Sequence, residues 1–197
     1  ATSLGVRHLL PRTDELSRDG YVANGRDRCF HCKATLLDTL QPLAAEHGLA
    51  AVVTGTNADD VVARFRPGIR AAADRGAHTP LADAGLTKAD VREASRRWGL
   101  VTADKPALAC LSSRIAYGVQ VTPSRLARID RAETALRTRL GEVRDLRVRD
   151  LGGGVARVEL DPAALERCSD ADLDAVRAEG FGQVALQPFR SGSLNLL

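Results

Sequence analysis

A chain of 197 residues, 44% hydrophobic and 27% charged, has the composition of a folded globular protein with room for one sizeable core or one domain and a small companion. A net charge of +3 is too small to argue for nucleic acid, and no run is long and apolar enough to cross a membrane. With only 4% aromatic residues, the cores must be built from Leu, Val, Ile and Ala.

In chain order, Val6 to Leu10 is short and apolar and predicts a strand closed by Pro11. Arg12 to Arg28 is polar, loop or weak helix, with turn signals at Asp19-Gly20 and Asn24-Gly25. From Lys33, Leu36, Leu37, Leu40 and Ala44 keep helical spacing; Pro42 would kink or end that helix and Gly48 stops it. Leu49 to Val53 is a continuous apolar run, as expected of a strand buried on both faces, and it ends in Thr54-Gly55-Thr56-Asn57-Ala58-Asp59-Asp60. Val61, Val62 and Phe65 begin another helical stretch, broken at Arg66-Pro67-Gly68, and a short helix resumes over Ile69, Ala72 and Ala73. Thr87-Lys88-Ala89-Asp90 has the form of a capping box, with Val91, Ala94, Ser95 and Trp98 on one helical face behind it and Gly99 as the stop. This order suits an open parallel α/β sheet.

The tail differs in character. A helix after Thr122-Pro123-Ser124 carries Leu126, Ile129, Leu136 and Leu140. Asp145 to Asp150 alternates strictly, so Arg147 and Arg149 share one strand face while Leu146 and Val148 share the other. Gly152-Gly153-Gly154 turns the chain into Ala156, Val158 and Leu160, a predicted hairpin. Asp161-Pro162 opens a short helical turn, Ser169 to Asp172 caps a helix, and Val184 and Leu186 supply a last strand. The expectation is α/β: a partial Rossmann-like parallel sheet over residues 1–120, then a small α+β domain over 121–197.

Several segments carry chemistry. Cys110 lies among small and apolar residues, with Ser112, Ser113 and Arg114 behind it; Pro106 argues for a loop, and an arginine close in space would favour the thiolate. Its plainer reading is a small packed residue. Gly55, Asn57 and Asp60 sit where open α/β sheets place ligands, and Asp59 and Asp60 suit magnesium or a ribose, or merely cap a helix. Cys29 and Cys32 form a Cys-x-x-Cys; in a reducing cytosol this spacing points to metal or redox chemistry, although two cysteines are half a zinc site. Cys168 reads as core, and of the histidines only His31, inside the cysteine pair, invites attention. Arg147 and Arg149 present a phosphate- or carboxylate-binding face, or a solvated one. The only lysines are Lys33, Lys88 and Lys105.

Six blocks occur in order: Asn24 with Arg28-Cys29-Phe30-His31-Cys32-Lys33; Gly55 to Asp60; Arg66-Pro67-Gly68; Thr79-Pro80-Leu81; Lys105-Pro106-Ala107 through Cys110 to Arg114; and Arg190-Ser191-Gly192-Ser193-Leu194-Asn195. Together they resemble LarE, the ATP-dependent sacrificial sulfur transferases of the PP-loop ATP pyrophosphatase superfamily. The resemblance implies ATP and magnesium as cofactors and a role in building the nickel-pincer nucleotide cofactor of lactate racemase. It implies adenylation of a carboxylate on a pyridinium mononucleotide, attack by the cysteine matching Cys110, and C–S cleavage leaving a thiocarboxylate and dehydroalanine. Some members instead use three cysteines to hold a [4Fe–4S] cluster, for which Cys29, Cys32 and Cys110 are the candidates. Gly55, Asn57 and Asp60 would face the nucleotide, and Arg114, Arg147 and Arg149 the anionic substrate. The expected partner is a small-molecule nucleotide, without nucleic acid or membrane, in a cytoplasmic homo-oligomer.

One departure concerns the phosphate loop. The superfamily's Ser-Gly-Gly-x-Asp-Ser stretch does not occur in these 197 residues. Together with the absence of methionine, this leads to the expectation of a truncated chain lacking ATP-dependent activity as it stands. The rival readings are a PP-loop tRNA thiolation enzyme with a cysteine-ligated cluster, and a non-catalytic nucleotide-binding remnant.

Overall fold

The structure, a computed structural model, describes residues 1, 4–63, 66–105 and 109–190. The chain divides into two units, one of Ala1–Tyr21 with Asp27–Ala107, the other of Val22–Arg26 with Leu108–Leu197. The helices are α1 (Asp19–Val22), α2 (Arg28–Glu46), α3 (Ala58–Val62), α4 (Pro67–Ala73), α5 (Pro80–Asp83), α6 (Lys88–Arg97), α7 (Pro123–Leu140), α8 (Pro162–Arg167) and α9 (Asp170–Ala178). The strands are β1 (Leu146–Asp150), β2 (Val155–Leu160) and β3 (Gln183–Pro188).

The first unit is helical among its described residues. Helix α2 begins five residues earlier than the apolar spacing predicts and runs through Pro42; Gly48, at φ +65°, turns the chain where the helix ends. It packs on α4 through small residues. Ala34, Ala71 and Ala72 are buried, and a Cβ on Gly68 would come within 3.4 Å of the Cys29 carbonyl oxygen. Two of the resembling blocks, those of Cys29 and of Gly68, thus meet where α2 packs on α4. Phe30 lies under the guanidinium groups of Arg70 and Arg75, 4.8 and 5.9 Å from its ring centre.

Three expectations fail here. Val6 to Leu10 forms no strand, and Leu10 is exposed. The run Leu49 to Val53 makes only a single parallel bridge, Val53 to His78, held by the Thr54 amide to the His78 carbonyl and the His78 amide to the Val52 carbonyl. With Leu49 and Val53 each 60% exposed, this is no strand buried on both faces, and no parallel sheet forms among the unit's described residues. Apolar composition makes a strand possible; paired neighbours make it one, and among those residues the run pairs only through the single bridge to His78. Trp98, placed on the apolar face of α6, is exposed as well. The Thr87–Asp90 capping box forms as read. Phe65 and Pro106 lie outside the described residues.

The second unit holds the sheet, in order β1-β2-β3, with β1 antiparallel to β2 and β2 parallel to β3. The predicted hairpin forms, with Val148 opposite Val158 and Arg149 opposite Arg157, and Gly152, Gly153 and Gly154 all take positive φ. One sheet face carries Leu146, Val148, Ala156, Val158 and Leu160, all fully buried. Ile129, Ala132 and Leu136 of α7 and Val176 of α9 complete this core with Phe181. Helix α7 starts on a Thr122 cap whose hydroxyl accepts the Arg125 amide, with Pro123 at its first position. The fold is α/β with a small three-stranded mixed sheet. No helix among the described residues is long and apolar enough to cross a membrane.

Candidate active site

Cys110 precedes a single 3-10 turn, Leu111–Arg114, and its thiol is free and exposed. Its backbone is held tightly. The Cys110 carbonyl accepts from the Ser113 amide at 3.0 Å, the Ser113 hydroxyl at 2.6 Å and Arg114 Nη1 at 2.9 Å; the same Nη1 donates to the Ala109 carbonyl at 2.6 Å. These bonds of Arg114 reach the cysteine's carbonyl and not its sulfur, so this arginine's visible role is to position the turn.

The remaining donors of Arg114 enter a buried ion pair. Nε and Nη2 lie 2.9 and 3.3 Å from the two Glu133 oxygens, and the Val148 amide donates to Glu133 Oε1 at 3.0 Å. Glu133 therefore satisfies both the arginine and an amide on the free edge of β1. A buried carboxylate needs such partners. Ile115 continues the turn by bridging to Asp150 in parallel, with the Ala116 amide on the Asp150 carbonyl. Asn24, in a left-handed conformation at φ 56°, pins the loop beyond Ile115: its side-chain nitrogen donates to the Ala116 and Val119 carbonyls at 2.8 Å each. Asn24 carries the first of the resembling blocks, and its structural work is to hold the loop after Arg114.

Arg147 and Arg149 do share a sheet face, but that face is buried, not solvated. Arg149 donates Nε and Nη2 to Glu159 Oε2 at 3.0 and 2.9 Å and Nη1 to the Ser113 carbonyl at 2.9 Å, tying β1 to the cysteine turn. Arg147 donates Nη1 to the Leu146 carbonyl and lies over the Phe189 ring at 5.4 Å. Burial, and then the positive charge of Arg114, push Arg147 below the ordinary arginine range; Arg149 adds to this and Glu133 partly offsets it. Arg157, on β2 opposite Arg149, places its Nε 3.2 Å from Glu159 Oε1. At the end of β1, burial works to raise the Asp150 carboxyl, but the Gly152 amide and the Arg128 and Arg125 guanidinium groups outweigh it and hold it low.

Gly55, Asn57 and Asp60 belong to the first unit. Asn57 and Asp60 form a capping box on α3: the Asp60 amide donates to Asn57 Oδ1 at 3.1 Å and the Asn57 amide to Asp60 Oδ2 at 3.4 Å. Asp60 Oδ1 pairs with Arg66 at 3.3 Å, and Asp59 accepts the Lys88 amide. With the carboxylates so engaged, these residues do not fit a magnesium site. Cys29 and Cys32, neither of them in a disulfide, stand one helical turn apart at the start of α2, a donor pair that suits iron–sulfur chemistry in type and spacing. Among the described residues no three His, Cys, Asp or Glu side chains gather as a metal site. His31 packs against Gly20 and lies 3.3 Å from Asp27. Cys168 ends α8, where burial and then Asp172 and Asp170 raise its thiol. Residues 191–195 of the closing block lie outside the described residues.

Glu133, Glu159 and Arg157 were missed by sequence reasoning. A signal existed for each. Glu133 follows Ile129 by four positions and precedes Leu136 by three, on the apolar stripe of α7, and strand alternation places Arg157 and Glu159 on the arginine face.

No protein-family model matches the chain. It is 33% identical over 200 aligned residues to the pyridinium-3,5-bisthiocarboxylic acid mononucleotide synthase of Lactiplantibacillus plantarum, covering 99% of this chain and 71% of that protein. The chain belongs to the LarE family. It is also 41% identical over 199 aligned residues to the uncharacterized protein slr1717 of Synechocystis, covering 98% of this chain and 73% of the relative. An uncharacterized Methanocaldococcus jannaschii protein, MJ0830, is 26% identical over 169 aligned residues. Within the LarE family, the resemblance seen in short blocks extends along nearly the whole sequence.

Proposed function

We propose that this LarE-family protein is a sulfur transferase that converts an activated carboxylate of a pyridinium mononucleotide into a thiocarboxylate, with Cys110 carrying the sulfur. The observation behind this reading is an exposed thiol on a turn held by Arg114 and Ser113, with the Arg149 guanidinium bonded to the same turn. ATP activates the substrate carboxylate as an acyl-adenylate, with release of pyrophosphate. The Cys110 sulfur attacks the acyl carbon and AMP leaves. Loss of the Cys110 Cα proton to a base then breaks the Cβ–S bond, leaving dehydroalanine in the chain and sulfur on the product. Guanidinium groups bonded to the turn, those of Arg114 and Arg149, favour both the anionic nucleophile and the anionic nucleotide. Adenylation is assigned to no residue here, because these 197 residues contain no Ser-Gly-Gly-x-Asp-Ser loop. The PP-loop fold and a homo-oligomeric state are part of the same proposal.

The test supplies the protein with the preformed acyl-adenylate, bypassing activation, and reads Cys110 by peptide mass spectrometry. Loss of about 34 Da, the elements of hydrogen sulfide, together with thiocarboxylate product supports the reading. An unchanged Cys110 in iron-bearing, active protein assigns the sulfur to a cluster on Cys29, Cys32 and Cys110. No product at all, with the nucleotide still bound, leaves a binding protein and overturns the proposal.

A further inference from the structure

Among the described residues, the buried side-chain nitrogens without a hydrogen-bond partner belong to two arginines: Nε and Nη2 of Arg157, beside Glu159, and Nε of Arg128. Arg128 stands on α7, across the sheet from Arg147 and Arg149. Strand alternation gives Asp150 the same face as Leu146 and Val148, and its carboxylate meets α7 there. Arg125 Nη1 and Arg128 Nη2 both donate to Asp150 Oδ2, at 2.8 and 2.6 Å, while the Gly152 amide donates to Oδ1 at 2.9 Å. Arg128 Nη1 goes to the Gly180 carbonyl at 3.3 Å, and its guanidinium lies 4.1 Å from the centre of the Phe181 ring.

The two arginines line a cavity of about 320 Å³, together with Ser124, Gly153 and Gly154. No carboxylate lines it. Asp150 is itself completely buried and balances one of the two guanidinium groups, so one positive charge is left over. The Arg125 and Arg128 side chains are 29% and 20% exposed, within reach of a ligand from solvent. The glycine wall is bare backbone. Gly153 and Gly154 take φ of +57° and +77°; a Cβ on Gly153 would meet nothing within 4 Å, and one on Gly154 only the Gly182 amide nitrogen at 3.8 Å. Backbone without side chains lets a ligand come close. A phosphate group, carrying about −1.5 to −2 and three acceptor oxygens, can engage both guanidinium groups and the Ser124 hydroxyl together. A planar carboxylate matches one guanidinium fork at a time.

We infer that this cavity is a binding site for an oxyanion of the phosphate type, held by Arg125 and Arg128 against walls formed by Ser124 and the Gly153-Gly154 turn. It shares no residue with the cysteine turn, and the inference does not rest on the sulfur chemistry.

The experiment follows the Ser124, Gly153 and Gly154 amide resonances of the whole chain by NMR, at constant ionic strength, during titration with inorganic phosphate, AMP or acetate. Wild type is expected to give saturable shifts at these amides with phosphate or AMP, and to bind acetate about tenfold more weakly or worse. Gly153→Asp places a carboxylate in the open space, in a backbone conformation that aspartate tolerates, and should weaken phosphate binding by about tenfold or more. Gly153→Asn, of the same shape without the charge, should stay within about threefold of wild type. Arg125→Gln should also weaken binding, and Arg125→Lys should recover part of it. If Arg125→Gln fails to fold, having lost a partner of Asp150, the Gly153 pair decides alone. AMP binding more tightly than phosphate assigns the group to a nucleotide, and phosphate binding at least as tightly assigns it to the free anion; either supports the site. Shifts that never saturate, shifts unchanged in Gly153→Asp, or acetate binding as tightly as phosphate would each overturn it.

Discussion

The two units bury their apolar residues very differently. Of the described residues, the large hydrophobics left most exposed, including Leu10, Leu49, Val53, Val62, Trp98 and Val101, all belong to the first unit, whose buried core is largely alanine with Leu37 and Tyr21. The second unit buries Ile129, Leu136, Leu146, Val158, Leu160, Val176 and Phe181 almost completely. It also buries Arg114, Glu133, Arg149 and Glu159, each with partners. A well-filled sheet-and-helix core can hold charged groups in fixed geometry, which the cysteine turn requires; helices joined through small residues and one bridge cannot do so equally well.

The largest expected effect breaks the buried pair. Glu133→Ala leaves Arg114 and the Val148 amide without their acceptor, and should lower unfolding stability by about 3–5 kcal/mol in denaturant titration. It should also speed alkylation of Cys110 by loosening the turn. If Glu133→Ala and wild type unfold alike, the charged network is not what holds the turn.

Next comes a direct contrast between the units. Leu136→Ala, in the filled core, should cost about 2–5 kcal/mol. Val62→Ala, at a site 81% exposed, should stay within about 0.5 kcal/mol. Comparable losses at both positions would show that the exposed face of the first unit is covered in solution, and the contrast would fall.

The smallest effect concerns a cap. Asp172 accepts from the Ser169 amide and hydroxyl at the start of α9 and pairs with Arg139, and these bonds, the Ser169 amide foremost, hold its carboxyl at about 2. A folded-state value below the ordinary 3.8 means that its stabilisation is complete above about pH 4 and fades as pH falls toward 2. Asp172→Asn should cost about 1 kcal/mol at neutral pH and flatten the acid limb of the stability profile. An unchanged acid limb would remove Asp172 from the account.

Much was legible because its cause is local. The capping boxes at Thr87 and Ser169, the Pro123 helix start and the Gly152–Gly154 hairpin each lie within a few residues, and each formed. The Leu49–Val53 run was misread because a strand's identity depends on neighbours that the run does not contain. The Asn57–Asp60 stretch admitted either a ligand loop or a helix cap, and the hydrogen bonds form the cap.

For the candidate site, the sequence by itself determined membership of the LarE family, the loop setting of Cys110 and the shared face of Arg147 and Arg149. Local hydrogen bonding and strand periodicity reach that far. Only the tertiary structure decided that this face is buried, that Glu133 receives Arg114 from 19 residues away, that Glu159 goes to Arg149, and that Arg157 is left with idle donors. The reason is physical. Which carboxylate a guanidinium meets is settled by how α7 and the hairpin pack around one core, and no spacing along the chain encodes that choice.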